Sequence, residues 1–155
     1  MSVFRKNKPL LAVMAANHEG LAEALAKGMD PSMPGPSKMT ALHMAALLCD
    51  AQATQMLLDA GAQVEARDKN DLTPLGYAVL PVRETPLPQL KQSLKSEEAT
   101  AGLDLARGDV RKILLAAGAD WHAKSKKAPS PWERFEHYWP EQAQAAVPKV
   151  GPAKV

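Results

Sequence analysis

Apolar residues recur along the chain in blocks with the spacing of helices packed on one side. In the most regular block, an apolar run at 41–46 follows Thr40, and a second run, Met56-Leu57-Leu58, precedes Gly61. Thr40 predicts the start of the first helix, because its hydroxyl can accept a hydrogen bond from a backbone N–H two or three residues on. Gly61 predicts the end of the second helix, because glycine readily adopts the left-handed conformation that terminates helices. The block therefore predicts two helices joined by a short turn.

The opening of this block returns 33 residues later as Thr73-Pro74-Leu75. Pro74 is expected at the first helical position, where the N–H that proline lacks would have no partner. One helix pair cannot bury its apolar face alone, so neighbouring pairs should stack against it. Similar openings at Lys8-Pro9-Leu10 and Ser130-Pro131-Trp132 predict four pairs in all.

The T-x-L-H-x-A-A opening at Thr40 and the L-L-x-x-G-A closing at Leu57 resemble the ankyrin repeat, whose unit is two antiparallel helices and a β-turn finger. The resemblance implies an all-α solenoid of about four helix-turn-helix repeats, similar to the small stand-alone bacterial ankyrin proteins. The first repeat lacks the threonine and histidine of the motif, which is expected of a capping repeat with one neighbour. We expect one domain over residues 1–147, with repeats at about 7–38, 39–70, 71–127 and 128–147, and a C-terminal tail at 148–155.

The third repeat is interrupted by an insertion. Its closing leucine lies 57 residues after Leu57 although the repeat length is 33, so 24 residues have been added at about 80–103. Leu87, Leu90 and Leu94 have the spacing of one helix face and predict a short helix within the insertion. Insertions in repeat arrays map to surface loops and are often functional. This segment either forms a second contact surface or packs back on the edge of the solenoid.

Charge and cysteine content narrow the classes of partner. The chain has 19 basic and 17 acidic residues and a net charge of +2. This balance gives no electrostatic basis for binding nucleic acid or an anionic membrane, and no apolar run is long enough to span a bilayer. The single cysteine, Cys49, excludes an internal disulfide. It stands where the family usually has an inter-helix glycine, and we expect it to be a small, partly buried residue.

Residues 1–16 faintly resemble a secretion leader, because Arg5, Lys6 and Lys8 precede an apolar run. The spacing of this run and its match to the later repeats favour a first repeat instead. We therefore expect a cytoplasmic protein by default, and a periplasmic one if a leader has been removed.

The sequence lacks motifs for catalysis. No serine or cysteine nucleophile has a matching histidine and aspartate, and there is no glycine-rich phosphate loop and no ligand spacing for zinc. The resemblance implies that His43 makes structural hydrogen bonds within its turn. We therefore expect a protein that is not an enzyme and has no cofactor and no metal, since its histidines are scattered at His18, His43, His122 and His137.

An aromatic stripe marks the last repeat. Trp132, Phe135 and Trp139 lie at i, i+3 and i+7 of the predicted helix. Such a stripe can form a cage for a ligand, but a terminal repeat also needs bulk to seal its helix pair. We interpret the stripe as core.

The resemblance implies that the chain binds another protein through its finger tips and the concave face of its first helices. On that face Leu47 and Leu48 predict an apolar interface centre ringed by charge, unless the insertion covers them. Aspartate at either position is then expected to weaken a partner complex and leave the thermal transition nearly unchanged. The predicted binding residues are Leu47, Leu48, Leu80, His137 and Tyr138 on the concave face, and Met33, Pro34, Arg67, Lys69, Asn70, Leu72, Trp121, Lys124 and Lys126 on the fingers.

Two functions fit these expectations. In the first, the chain is monomeric when free and acts as a stoichiometric inhibitor or self-protection (immunity) protein, which clamps a partner enzyme such as a cell-wall peptidase. Its small size favours this reading. In the alternative, it is an adaptor or scaffold that joins two proteins, with the insertion as the second contact surface.

Overall fold

The computed structural model describes residues 7–84 and 96–150. Within those ranges, eight α-helices pair into four successive hairpins, and all regular structure is helical. The first helices of the pairs lie side by side, as do the second helices of the first three pairs. The helices are α1 Lys8–Met14, α2 His18–Ala26, α3 Ala41–Leu47, α4 Ala51–Asp59, α5 Pro74–Ala78, α6 Glu97–Ala116, α7 Pro131–Tyr138 and α8 Pro140–Val150, with 3-10 turns at Pro36–Lys38 and Val82–Glu84.

Side-chain caps fix where the helices begin. Thr40 Oγ1 accepts a hydrogen bond from the N–H of His43, and Thr73 does the same for Gly76. The predicted start at Thr40 and the position of Pro74 in the first turn are therefore confirmed. Asn17 caps α2, which begins at His18. Asparagine is a favoured N-cap residue, and here its side chain accepts a hydrogen bond from Gly20 N.

Left-handed residues end the second helices and shape the turns. Gly61 has φ of +91° after α4, which confirms its predicted role. Cys49, between α3 and α4, has φ of +59°. A non-glycine residue in this region is strained by roughly 1–2 kcal/mol. Glycine is therefore preferred in the backbone conformation that Cys49 adopts at this turn.

One hydrophobic core runs through all four repeats. The leucines of the repeated motif, Leu42, Leu57, Leu75 and Leu114, are all fully buried in it. Ala45 is also fully buried, and its small side chain allows adjacent helices to approach closely. The stack is therefore held mainly by contacts between neighbouring pairs, as expected for a solenoid.

The insertion alters the third pair. Helix α6 has 20 residues and begins at Glu97, inside the segment assigned to the insertion. It is about 16 Å longer than the nine-residue α4, at 1.5 Å per residue. Cys49 and Val82 form a small second cluster with Leu103 and Ala106 of α6, at the turn end of the stack. The predicted helix at 87–94 lies outside the described residues.

The closing helix is longer than the sequence predicts. Helix α8 continues to Val150, whereas the tail was expected to start at Pro148. Proline removes one helical hydrogen bond but already has the backbone φ of a helix, so its presence near a helix end is no reliable stop signal. The last five residues, 151–155, lie outside the described residues.

Candidate protein-binding surface

Three fingers lie next to one another along one edge of the stack. We define them as finger one (29–39), finger two (62–72) and finger three (119–129). The backbone N–H of Lys69 donates to the carbonyl of Ser37 at 2.8 Å, which joins finger two to finger one. The N–H of Lys126 donates to Asp71 Oδ2 at 3.3 Å, which joins finger three to finger two. These bonds align the fingers before any partner arrives.

Finger two is anchored by His43 on α3. Its Nε2 lies 2.8 Å from the carbonyl oxygen of Leu72, and its Nδ1 lies 3.1 Å from the backbone nitrogen of Thr40. Because a carbonyl can only accept, Nε2 carries the proton and Nδ1 accepts from Thr40. Burial lowers the pKa of His43, which keeps the ring neutral. The structural role predicted for this histidine is confirmed.

Asp68, which is buried, accepts hydrogen bonds that fix the backbone of finger two. Its Oδ1 accepts from the N–H of Asn70 and of Leu72, both at 2.9 Å. Its Oδ2 accepts from the hydroxyl of Tyr77 on α5. Burial, followed by the bond to Asp68, raises the pKa of Tyr77, so the phenol remains a proton donor. The conformation of finger two is thus set by buried polar contacts to α3 and α5. We call the first helix of each pair its inner helix.

The predicted finger residues differ in exposure. Pro34, Lys69, Asn70, Lys124 and Lys126 are exposed, whereas Met33 and Arg67 are half-buried. Leu72, predicted as a binding residue, is only 7% exposed, because its side chain packs in the main core beneath finger two.

Trp121 belongs to an aromatic cluster at the end of the stack. Its ring centroid lies 4.9 Å from that of Phe135 and 5.3 Å from that of Trp132. Trp139 donates from Nε1 to the carbonyl of Val79 at 2.8 Å. These contacts confirm the core interpretation of the stripe, and they make Trp121 a packing residue more than a contact for a partner.

Leucines predicted to form an exposed apolar surface on the concave face are buried or half-buried. Leu47 is 2% exposed and Leu80 is 7% exposed, and both belong to the main core. Leu48 is half-buried and packs against the same core. Aspartate at position 47 would place a carboxylate in the core and unfold the protein. The expected separation of binding from stability therefore fails at Leu47.

Helix α6 bonds to the ends of the helices that carry these leucines. Its Arg107 is 1% exposed. Its Nε donates to the carbonyl of Ala46 at 3.2 Å, its Nη1 to that of Leu80 at 3.0 Å, and its Nη2 to that of Leu47. These carbonyls lie at the C-terminal ends of inner helices, where a cation is favoured by the helix dipole. Helix α6 therefore packs on the ends of α3 and α5 through a residue that follows the insertion. Within the insertion, Val82 and Leu103 pack with Cys49.

Sequence reasoning missed Arg107, although a signal was present. Arg107, Val110 and Leu114 lie at i, i+3 and i+7, on the buried face of α6. A charged residue in an apolar stripe indicates a buried cation that needs several acceptors. Burial lowers the pKa of Arg107, and Cys49, followed by Asp104, opposes this shift.

The last two predicted residues of the concave face remain accessible. His137 is exposed and Tyr138 is half-buried, with their ring centroids 4.7 Å apart. With Pro129, Glu133 and Arg134 they line a hollow of about 380 Å³ beside finger three. These two residues lie at the C-terminal end of α7, where the next residue, Trp139, donates to the carbonyl of Val79 beside Leu80.

Finger tips two and three form a basic cleft of about 620 Å³, lined by Arg67, Asp71, Lys124, Ser125 and Lys126. Arg67 Nη1 lies 3.4 Å from Asp71 Oδ1, in an ion pair within finger two. A hydrogen bond from Ser125 lowers the pKa of the Asp71 carboxyl, with smaller contributions from Lys126 and Arg67. Asp71 therefore stays ionised and connects the two fingers.

Within the described ranges, no group of three or more His, Cys, Asp or Glu side chains is placed to bind a metal ion. Among the helices of those same ranges, none is long and apolar enough to cross a membrane.

Comparison with known proteins agrees with the helix pairs. The chain is 40% identical over 77 residues to Protein PhlB of Serratia liquefaciens, an alignment that covers 49% of this chain and 34% of that one. The chain thus matches about a third of the length of that relative. The family profile described as ankyrin repeats, in three copies, matches residues 10–83 and ends where the insertion begins. The chain thus contains ankyrin repeats over residues 10–83, and its stacked helix pairs, capping threonines and aligned fingers form an ankyrin-repeat solenoid.

Proposed function

We propose that this chain binds one partner protein along its finger edge and acts as a stoichiometric inhibitor of that partner. Ankyrin repeats are protein-binding modules, and the family is generally non-catalytic. The observation that carries the proposal is the alignment of the fingers by the bonds Lys69 to Ser37 and Lys126 to Asp71. A surface that is ordered before binding loses little conformational entropy on association. Such a rigid edge can cover the cleft of an enzyme, such as a cell-wall peptidase, without changing shape.

The position of the insertion supports a single binding edge. The inner helices begin at the fingers and end at the turns, so the carbonyls bound by Arg107 lie at the end of the stack remote from the fingers. The described part of the insertion packs there and adds nothing to the finger edge. One continuous surface favours one partner.

An adaptor is the second candidate, because Leu105 on α6 is 74% exposed. A large apolar side chain at this exposure, on the helix extended by the insertion, offers a contact for a second protein.

The two functions are separated by isolating the complex from the native host with the tagged full chain. An inhibitor forms a one-to-one complex, abolishes an activity of the partner, and tolerates Leu105→Asp. An adaptor holds two different proteins, leaves their activities intact, and loses one of them on Leu105→Asp. A complex that retains full partner activity would overturn the inhibitor proposal.

A further inference from the structure

The positive charge of the finger tips is not balanced by free carboxylates. Lys124 and Lys126 are exposed in the cleft beside the half-buried Arg67, and the same two fingers carry the exposed Lys69 and Lys127. Lys127 Nζ donates to the carbonyl of Lys69 at 3.1 Å, which holds this cation over finger two. The net charge of +2 for the whole chain therefore conceals a local concentration of cations.

The acidic residues of these two fingers are already engaged or lie elsewhere. Asp71 bonds to Arg67 and to the N–H of Lys126, and Asp68 is buried against Tyr77. Glu65 and Asp120 form a separate contact near the start of the fingers, where Asp120 N donates to Glu65 Oε1 at 2.9 Å. The cleft therefore presents three cations and one carboxylate, and that carboxylate, Asp71, already bonds to Arg67 and to the N–H of Lys126.

The shape of the cleft favours several anions spaced along a chain over a single small ion. Its volume of about 620 Å³ is many times that of one carboxylate or phosphate group. The cations of the cleft are side chains. Within the described chain, Arg67 is bonded through Nη1 alone, so its Nε and Nη2 can bind a carboxylate. The nearest tryptophans, Trp121 and Trp132, are packed in the aromatic cluster and offer no stacking platform for bases.

We propose that the cleft between finger two and finger three receives an aspartate- and glutamate-rich segment of the partner protein. The proposal rests on the proposed function, since it names the chemistry of the partner at the same edge. Lys124 and Lys126 set the affinity by their charge, and Arg67 sets the orientation of one bound carboxylate.

The test measures binding of fluorescent octaglutamate to the full chain. Octaglutamine is the neutral control peptide. Inorganic phosphate and a short DNA duplex are the competitors. We expect salt-sensitive binding of octaglutamate that weakens about tenfold in the double variant Lys124→Glu/Lys126→Glu. The matched control is Lys8→Glu/Lys112→Glu, which makes the same change in net charge at exposed lysines away from the cleft. This control should retain binding within about twofold.

Three results would overturn the proposal: equal weakening in both double variants, equal binding of octaglutamine, or stronger competition by phosphate or DNA than by unlabelled octaglutamate. The variant Lys124→Gln/Lys126→Gln should give an intermediate loss, which guards against an artefact of the introduced acids. If the partner complex forms and is unaffected by Lys124→Glu/Lys126→Glu, the inference fails and the proposed function stands. If octaglutamate binds as expected but the isolated partner keeps its activity in the complex, the inhibitor function fails alone.

Discussion

A neutral, fully buried histidine makes this fold sensitive to acid at the scale of one residue. Burial lowers the pKa of His43 from 6.5, so the unfolded chain binds a proton there more readily than the folded one does. Stability from this residue is therefore present above about pH 6.5 and is lost as the pH falls below it, by at most about 1.4 kcal/mol per pH unit. We expect the thermal midpoint to fall between pH 7.5 and pH 5, and to fall less steeply in His43→Gln.

The exposed His137 provides the matched control. His137→Gln should leave the pH profile of the thermal midpoint parallel to that of the natural chain. Parallel profiles for His43→Gln and the natural chain would show that protonation of His43 does not limit stability in acid.

Arg107 donates hydrogen bonds to backbone carbonyls at the C-terminal ends of α3 and α5. Its removal leaves the carbonyls of Ala46, Leu47 and Leu80 without their donor in the described contacts. Because unpaired buried acceptors are expensive, we expect Arg107→Ala to lower the free energy of unfolding by about 2–4 kcal/mol. Denaturant unfolding measures this, with the exposed Lys112→Ala on the same helix as control. A loss for Arg107→Ala no larger than that for Lys112→Ala would contradict the assigned role.

Helix α6 makes a prediction at the scale of the element. Gly102 and Gly108 lie inside it, and a Cβ added at either meets no atom closer than Arg111 Nη2 at 3.5 Å. Alanine at each position should raise the free energy of unfolding by about 0.5–1 kcal/mol, because glycine loses more backbone entropy in a helix. Gly118, with φ of +96°, ends the same helix, so Gly118→Ala should destabilise it instead. Thermal unfolding of the three variants separates the two signs, and stabilisation by all three would contradict the helix boundary.

The same elements show which parts of the fold local sequence determines. The cap at Thr40, Pro74 in the first turn and the left-handed Gly61 were predictable, because each acts on neighbours within a few residues. The bonds of Arg107 to the carbonyls of Leu47 and Ala46 were not predictable, because these residues lie 60 and 61 positions away in sequence.

The candidate site divides in the same way. The resemblance gave the fingers and thus the exposed Lys124 and Lys126, since finger positions follow from repeat length. Trp121 has finger spacing too, but its packing is decided by Trp132 and Phe135 in the next repeat. Sequence therefore located the edge and identified the aromatic stripe as core, but it did not show that Trp121 packs against that stripe.

At the scale of the whole molecule, the continuous core implies that the two ends of the stack unfold together. All three tryptophans lie at or after Trp121, so their fluorescence reports the C-terminal end, whereas Leu10 in α1 is 1% exposed at the other end. Leu10→Ala should cost about 2–5 kcal/mol. If nearest-neighbour contacts couple all repeats, it should lower the midpoint measured by tryptophan fluorescence as much as the midpoint measured by circular dichroism. The exposed Leu105→Ala should move neither midpoint. A fluorescence midpoint that stays fixed while the circular dichroism midpoint falls would mean that the insertion in the third repeat divides the stack into two units of independent stability.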